Sequence, residues 1–345
     1  MFADYILLLF GQTPRRAKGI FNVLRGRRTV STLFAGLTYG CLDQLDSWHG
    51  VPLETFLITT RELIEAGLLT SPTPGYVQLT TSGIARQTQL RKTLYQPTDL
   101  REFQLTDVRR FTTLNQLALQ VTSYAVHQAN RYYPVTTDPG LQAVVKAWFR
   151  RYRGPDLGAT VRQALSDFLR TLPTPHAQVF VLGLTGYQFP GETAQQLAQA
   201  FGYQPVEIRV LRQDLACQWV TWVKANQVPP FWELLAPLVK TSPVSTSAQR
   251  TYADFLRVGD LTAIAQQRHL KLSTVREHLL EVAILSPDFP FEQLLAPAIQ
   301  QRLRNIFATT PDLTNWQFSQ VQAAGMALDF FEFRLYQIMR CQHDE

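Results

Sequence analysis

Cysteine is scarce. Cys41, Cys217 and Cys341 stand far apart over 345 positions. An odd number with no pair at ligand spacing excludes a disulfide framework and a zinc knuckle, and reduced thiols of a cytoplasmic protein are expected. Charge is sparse too: Asp, Glu, Lys and Arg make up 17% of the chain, against about 25% in an average protein, which excludes long disordered tails and a coiled-coil rod. Long apolar runs are missing. The run near the start, Tyr5–Phe10, is shorter than a signal-peptide core of about 7–15 residues and far shorter than a span of about 20. Its cations Arg15, Arg16 and Lys18 follow it rather than precede it, so neither secretion nor a membrane partner is expected.

Catalytic signatures are equally absent. The chain contains no Gly-x4-Gly-Lys-Ser/Thr loop, no His-Glu-x2-His, no Gly-x-Ser-x-Gly and no Gly-x-Gly-x2-Gly opening a helix, the patterns that hold phosphates, zinc, a nucleophile or a dinucleotide. The histidines are scattered at 49, 127, 176, 269, 278 and 343. His269 and His278 lack a Cys or carboxylate partner at ligand spacing, and structural roles are expected for both. Asp344 and Glu345 are terminal charge. No enzyme, no metal and no cofactor are expected.

What is present is a mild, uneven basicity. Net charge is +6, and 27 of the 33 basic residues are arginine, the better bidentate reader of phosphates and bases, although codon bias would produce the same excess. Residues 1–92 hold ten Lys/Arg against six Asp/Glu, residues 93–235 thirteen against ten, and residues 236–345 ten against eleven. The densest cluster is Arg15, Arg16, Lys18, Arg25, Arg27 and Arg28, with Asp4 the one acid in the first thirty residues. This cluster is the candidate nucleic-acid-binding set.

Periodicity places helices throughout. Pro14 opens a pattern with Ile20, Phe21 and Leu24 on one face, and Gly26 follows its end. Thr29 is a candidate N-cap for a second helix, and a third runs from about Pro52 to Ala66. Leu68–Thr70 and Tyr76–Thr80 flank a Pro/Gly turn, a hairpin signal. Three helices and a hairpin predict a winged-helix-like domain at 1–92. Residues 93–240 predict a helical middle domain, with Val179–Leu184 read as helix and a weak helix-turn-helix-like unit around Gly202. Thr241-Ser-Pro-Val-Ser-Thr-Ser reads as a linker, and residues 241–345 form the third expected domain.

The clearest motif lies there. Tyr252, Phe255 and Leu256 sit on one helix, Gly259 breaks it, Leu261, Ile264 and Ala265 mark a second, and Ser273 caps a third that holds Val275, Leu279 and Val282. This is helix-turn-helix spacing. Its outward face, for DNA or a partner, is Ser273, Thr274, Arg276, Glu277 and Leu280, with Glu281 beyond. Two acids and a leucine make a poor base reader, so DNA reading and protein docking both stay open. Trp316–Arg340 is too apolar for a free tail and is expected to pack on the body.

Leu261-Thr-Ala-Ile-Ala-Gln-Gln-Arg-His-Leu-Lys-Leu-Ser-Thr-Val-Arg-Glu-His-Leu is similar to the helix-turn-helix domain at the C-terminus of some RecQ-type helicases. Ala17-Lys-Gly-Ile-Phe-Asn-Val-Leu-Arg-Gly-Arg-Arg-Thr-Val-Ser-Thr resembles the start of the YpbB-type proteins of Gram-positive bacteria, which carry that domain on a separate chain beside a RecQ-type helicase. The resemblance implies a mainly α, multi-domain, non-catalytic DNA-binding or adaptor protein associated with a RecQ-type helicase in DNA repair or recombination. Its partners would be that helicase and duplex, forked or single-stranded DNA. A sequence-specific transcription regulator and a protein-interaction module without DNA contact are the rival expectations.

Overall fold

A computed structural model describes residues 2–48, 50–310 and 312–343, so His49, Asp344 and Glu345 lie outside the described residues. The chain is mainly α-helical, with nineteen α-helices and one three-stranded sheet among those residues. None of these helices is long and apolar enough to cross a membrane. Two compact units form, one from residues 9–84 and 242–345, the other from residues 1–8 and 85–241.

In the first unit the helix expected from Pro14 starts later. Arg15 and Arg16 form a short strand, β1, antiparallel to a later one, with Arg15 opposite Val77 and Arg16 opposite Tyr76. Helix α1 (Ala17–Leu24) follows and ends where Gly26 takes a left-handed φ of 80°, a conformation that costs glycine little. Helix α2 (Val30–Thr38) is capped by the Thr29 hydroxyl, which accepts from the Thr32 amide. Helix α3 (Leu53–Glu65) leads into strands β2 (Leu69–Thr73) and β3 (Tyr76–Leu79), joined at Pro74-Gly75. The sheet order β1-β3-β2 completes a winged helix.

The same unit contains α4 (Thr246–Val258), α5 (Leu261–Gln267) and α6 (Leu272–Leu285), the expected helix-turn-helix. Gly259 permits the first turn with a φ of 74°. Helix α6 begins one residue before Ser273, with Lys271 at the N-cap position and no side-chain capping bond. Ser273 is therefore a first-turn residue rather than the cap. Beyond come α7 (Pro297–Ile306), α8 (Phe318–Ala323) and α9 (Phe330–His343). Trp316 stacks on Phe307 at 4.3 Å and on Tyr336 at 5.7 Å between ring centroids, so this apolar segment packs inward.

Helix α6 is the centre of the unit. Every residue from Leu279 to Leu285 is buried, and a helix apolar on all sides needs cover on all sides. Helices α4 and α5 cover one side, α2 and α9 the other. Leu280, expected outward, is only 6% exposed; hiding it contributes about 1.5–3 kcal/mol. One core thus joins Val23 and Leu33 of the winged helix to Phe255, Leu279 and Tyr336. Residues 1–92 and 241–345 were expected as separate domains, but most of both segments fold as one unit because α6 takes part of its cover from α2.

The lone charge in the buried half of α6 is Glu281, 7% exposed. Ser245 donates its backbone amide to Glu281 Oε1 (2.7 Å) and its hydroxyl to Oε2 (3.0 Å). Arg28 stands 3.5 Å from Oε1 and also donates to the Pro243 carbonyl. The expected linker is therefore fixed, with Val244 buried and Ser245 capping α4 through the Ala248 amide.

The second unit is wholly helical in its core. The Thr174–Leu182 helix covers most of the stretch read as helical at 179–184. Ala194–Phe201 and Pro205–Asn226 are joined through Gly202, whose φ is 72°. Trp148, Phe168, Trp219 and Phe231 fill the main core, and Trp148 Nε1 donates to the Pro230 carbonyl at 2.6 Å. Fully buried Asp214 accepts the backbone amides of Thr98 (3.0 Å) and Asp99 (2.7 Å), tying that connection to the long helix.

Glu281→Ala is expected to remove about 2–4 kcal/mol from the first unit, because it breaks charge-assisted bonds and strands buried donors. Hydrogen exchange of the α6 amides against urea checks this, and Glu281→Gln, which keeps an acceptor, should lose less. Unchanged exchange in both variants would show that the carboxylate does not hold α6.

Candidate nucleic-acid interface

Between the winged helix and α9 lies a cleft of about 580 Å³. Arg16, at the end of β1, stands across the sheet from Tyr76 and lines one wall with it. The next turn of chain adds Lys18 from α1, and the α1–α2 connection adds Arg27. Hydroxyls of Thr29, Ser31 and Thr38 lie among them. The facing wall is aromatic: Phe318 of α8, Phe330 and Phe333 of α9, with Arg334 beside them. Among the described residues no Asp or Glu lines this cleft, so none of them opposes an anion in its walls.

Arg334 is the least ordinary cation here. Its guanidinium carbon lies 3.8 Å from the Phe34 ring centroid and 5.0 Å from that of Phe330. Burial pushes its pKa down to about 10, so it stays charged at neutral pH. No ion pair involving Arg334 occurs among the described residues. Face-on aromatic contact offsets part of the desolvation cost and leaves the edge donors available.

The structure sorts the six predicted cations. Arg16, Lys18 and Arg27 are exposed and line the cleft. Arg25 is exposed at the end of α1 and does not line it. Arg15 is half-buried, donating through Nη1 to the Leu9 carbonyl (2.6 Å) and lying 5.5 Å from the Tyr39 ring centroid. Arg28 is held by Glu281 and Pro243. The last two are thus engaged within the fold. Arg334 was not singled out by the sequence, because it lies inside the aromatic run read as packing; its signal is the one cation in Phe330-Phe-Glu-Phe-Arg.

The outward face of the helix-turn-helix is more occupied than its spacing suggested. Ser273 and Glu277 are exposed and Thr274 is half-buried. Arg276 pairs with Asp329 at 2.6 Å and lies 5.5 Å from the Phe331 ring centroid. Leu280 is not outward at all, since α9 and α2 pack against that part of α6. A second cleft, of about 910 Å³, runs along this face, but Glu277, Glu281 and Asp329 line it together with Arg28, Arg276 and Arg334. Its mixed charge suits a phosphate backbone poorly.

His278 has a structural setting. Its Nδ1 lies 2.7 Å from the hydroxyl of buried Thr251, to which Arg268 also donates. His269 occupies the α5–α6 turn with a φ of 53°. Among the described residues, no cluster of His, Cys, Asp and Glu could hold a metal ion.

These features define a class, a mainly α-helical protein with a helix-turn-helix domain, and residues 247–337 match the family model described as a helix-turn-helix domain. The chain is similar to Protein YpbB of Bacillus subtilis (strain 168), at 22% identity over 174 residues, covering 50% of this chain and 49% of that protein. It thus spans about half the length of that relative. The resemblance to YpbB-type proteins read from the sequence is borne out by both findings. No solved structure matches the chain.

Burial, and then the neighbouring Arg268, hold the His278 pKa below its ordinary 6.5, against the opposing pull of Glu281 and Glu277. The unfolded chain therefore takes up this proton first. His278 contributes full stability above its unfolded pKa of 6.5, and the contribution falls as pH drops below that value toward the folded pKa. Urea unfolding from about pH 7.5 to 5 should show this decline, and His278→Gln should flatten it. An identical pH profile in the variant would remove the imidazole as the cause.

Proposed function

We propose that the protein is a non-catalytic DNA-binding accessory protein that works with a RecQ-type helicase in DNA repair or recombination. One observation carries the DNA contact: Arg16, Lys18, Arg27 and Arg334 converge on a cleft that no carboxylate among the described residues lines. Cations so placed neutralise phosphates and release counterions. The helicase partner rests on the likeness of residues 261–279 to the domain found in some RecQ-type helicases. The helix-turn-helix supports docking better than base reading. The second half of α6 is buried, and its exposed start offers Ser273 and Glu277, with Arg276 already paired. A regulator that reads an operator needs free base-reading side chains on that helix.

Binding of labelled DNA to the full chain, measured by anisotropy against salt, tests the first part. Replacing Arg16, Lys18 and Arg27 together by glutamine should flatten the log K against log salt slope by roughly 2–3, at about 0.7–0.9 per lost contact. An unchanged slope would remove the cleft as the phosphate site. The partner is tested by pull-down of the helicase encoded in the same genome. Ser273→Arg with Glu277→Arg should abolish capture without lowering DNA affinity, and capture that survives both changes would place docking elsewhere.

A further inference from the structure

We infer that the strand held in this cleft is single-stranded DNA, with unpaired bases stacking on Tyr76 and Phe330 while the phosphates lie on Arg16, Lys18, Arg27 and Arg334. The inference rests on the cleft being the DNA site proposed above and names the form of DNA it takes.

The surfaces with which a winged helix or helix-turn-helix meets a duplex are unsuited to one here. Helix α3, which precedes the hairpin, exposes Glu54, Glu62 and Glu65 against the single cation Arg61. The hairpin from Leu69 to Leu79 carries no Lys or Arg. Helix α6 is buried through its second half. A duplex laid on α3 or the wing would meet carboxylates or neutral chain, where affinity requires several cation–phosphate contacts.

The cleft has the opposite character. Large aromatic rings are usually hidden, yet Phe330 is 49% and Tyr76 39% exposed, and both line it. Each ring has a cation beside it. Arg16 is the cross-strand neighbour of Tyr76, and Arg334 lies one helical turn from Phe330 with its guanidinium 5.0 Å from that ring. A ring next to a cation, repeated on two walls, matches a base next to a phosphate. A stacking ring reaches a base face only when the base is unpaired and unstacked, which is how single-strand binders combine aromatic platforms with a basic groove. Such stacking tolerates any base, because every base has a π-face.

The test uses the full chain, with a labelled oligo(dT) of twelve nucleotides and a blunt duplex of twelve base pairs as probes. The expected result is at least about tenfold tighter binding of the single strand. Phe330→Ala and Tyr76→Ala, on separate elements, should each weaken oligo(dT) binding by roughly 5- to 100-fold, the range of base–aromatic stacking. The salt slope should be unchanged, and Phe330→Trp and Tyr76→Phe should retain affinity. Equal affinity for the duplex, or full affinity in both alanine variants while the Arg16/Lys18/Arg27 variant loses binding, would overturn the single-strand inference and leave the DNA-binding reading standing. Failure of the unmodified protein to bind either probe at low salt would overturn both.

Discussion

The burial of helix α6 is the constraint on which the first unit depends. Its second half, Leu279–Leu285, is apolar apart from Glu281, so it must be covered from both sides. Helices α4 and α5 supply one cover and α2 and α9 the other. The single carboxylate in this stretch would be costly if left unpaired, and Ser245 and Arg28 satisfy it. The Ser/Thr/Pro-rich stretch at 241–247, read as a linker, and the basic connection at 25–28 are consequently anchored to the same side chain. The price of that arrangement is that half of the helix expected to read DNA is structural.

The cleft follows from the same packing. Seating α9 beside α2 brings the aromatic run at 330–334 against the basic start of the winged helix. Arg334 comes from the segment with a net negative balance, yet it stands among the cations of the N-terminal segment. Conversely, Arg28 belongs to the basic cluster but serves to neutralise Glu281. Charge summed along the chain and charge presented at a surface are therefore different quantities here, and the second decides where an anion can sit.

Local chemistry made much of the fold readable. Thr29 caps α2 because a hydroxyl at that position accepts an orphan amide of the first turn. Gly26 and Gly259 mark helix ends because both take a positive φ. The hairpin and the helix-turn-helix likewise announce themselves through residues close in sequence. What proved unreadable depended on distant chain. Arg15 and Arg16 extend as a strand because Val77 and Tyr76 lie opposite them, some sixty residues on, overriding the helical pattern from Pro14. Leu280 reads as an outward residue on an isolated helix and is buried where α2 and α9, both distant in sequence, pack against α6.

The candidate site divides the same way. By itself the sequence determined the class of fold, several capping and turn positions, the helix-turn-helix at 251–282 and the basic character of the first thirty residues, since each follows from spacing and composition over short stretches. The tertiary structure alone decided which cations remain available, that Arg334 joins them, and that Tyr76 and Phe330 stand exposed around them. The reason is physical. Availability of a charge or a ring depends on what else packs against it, and those neighbours lie up to three hundred residues away along the chain.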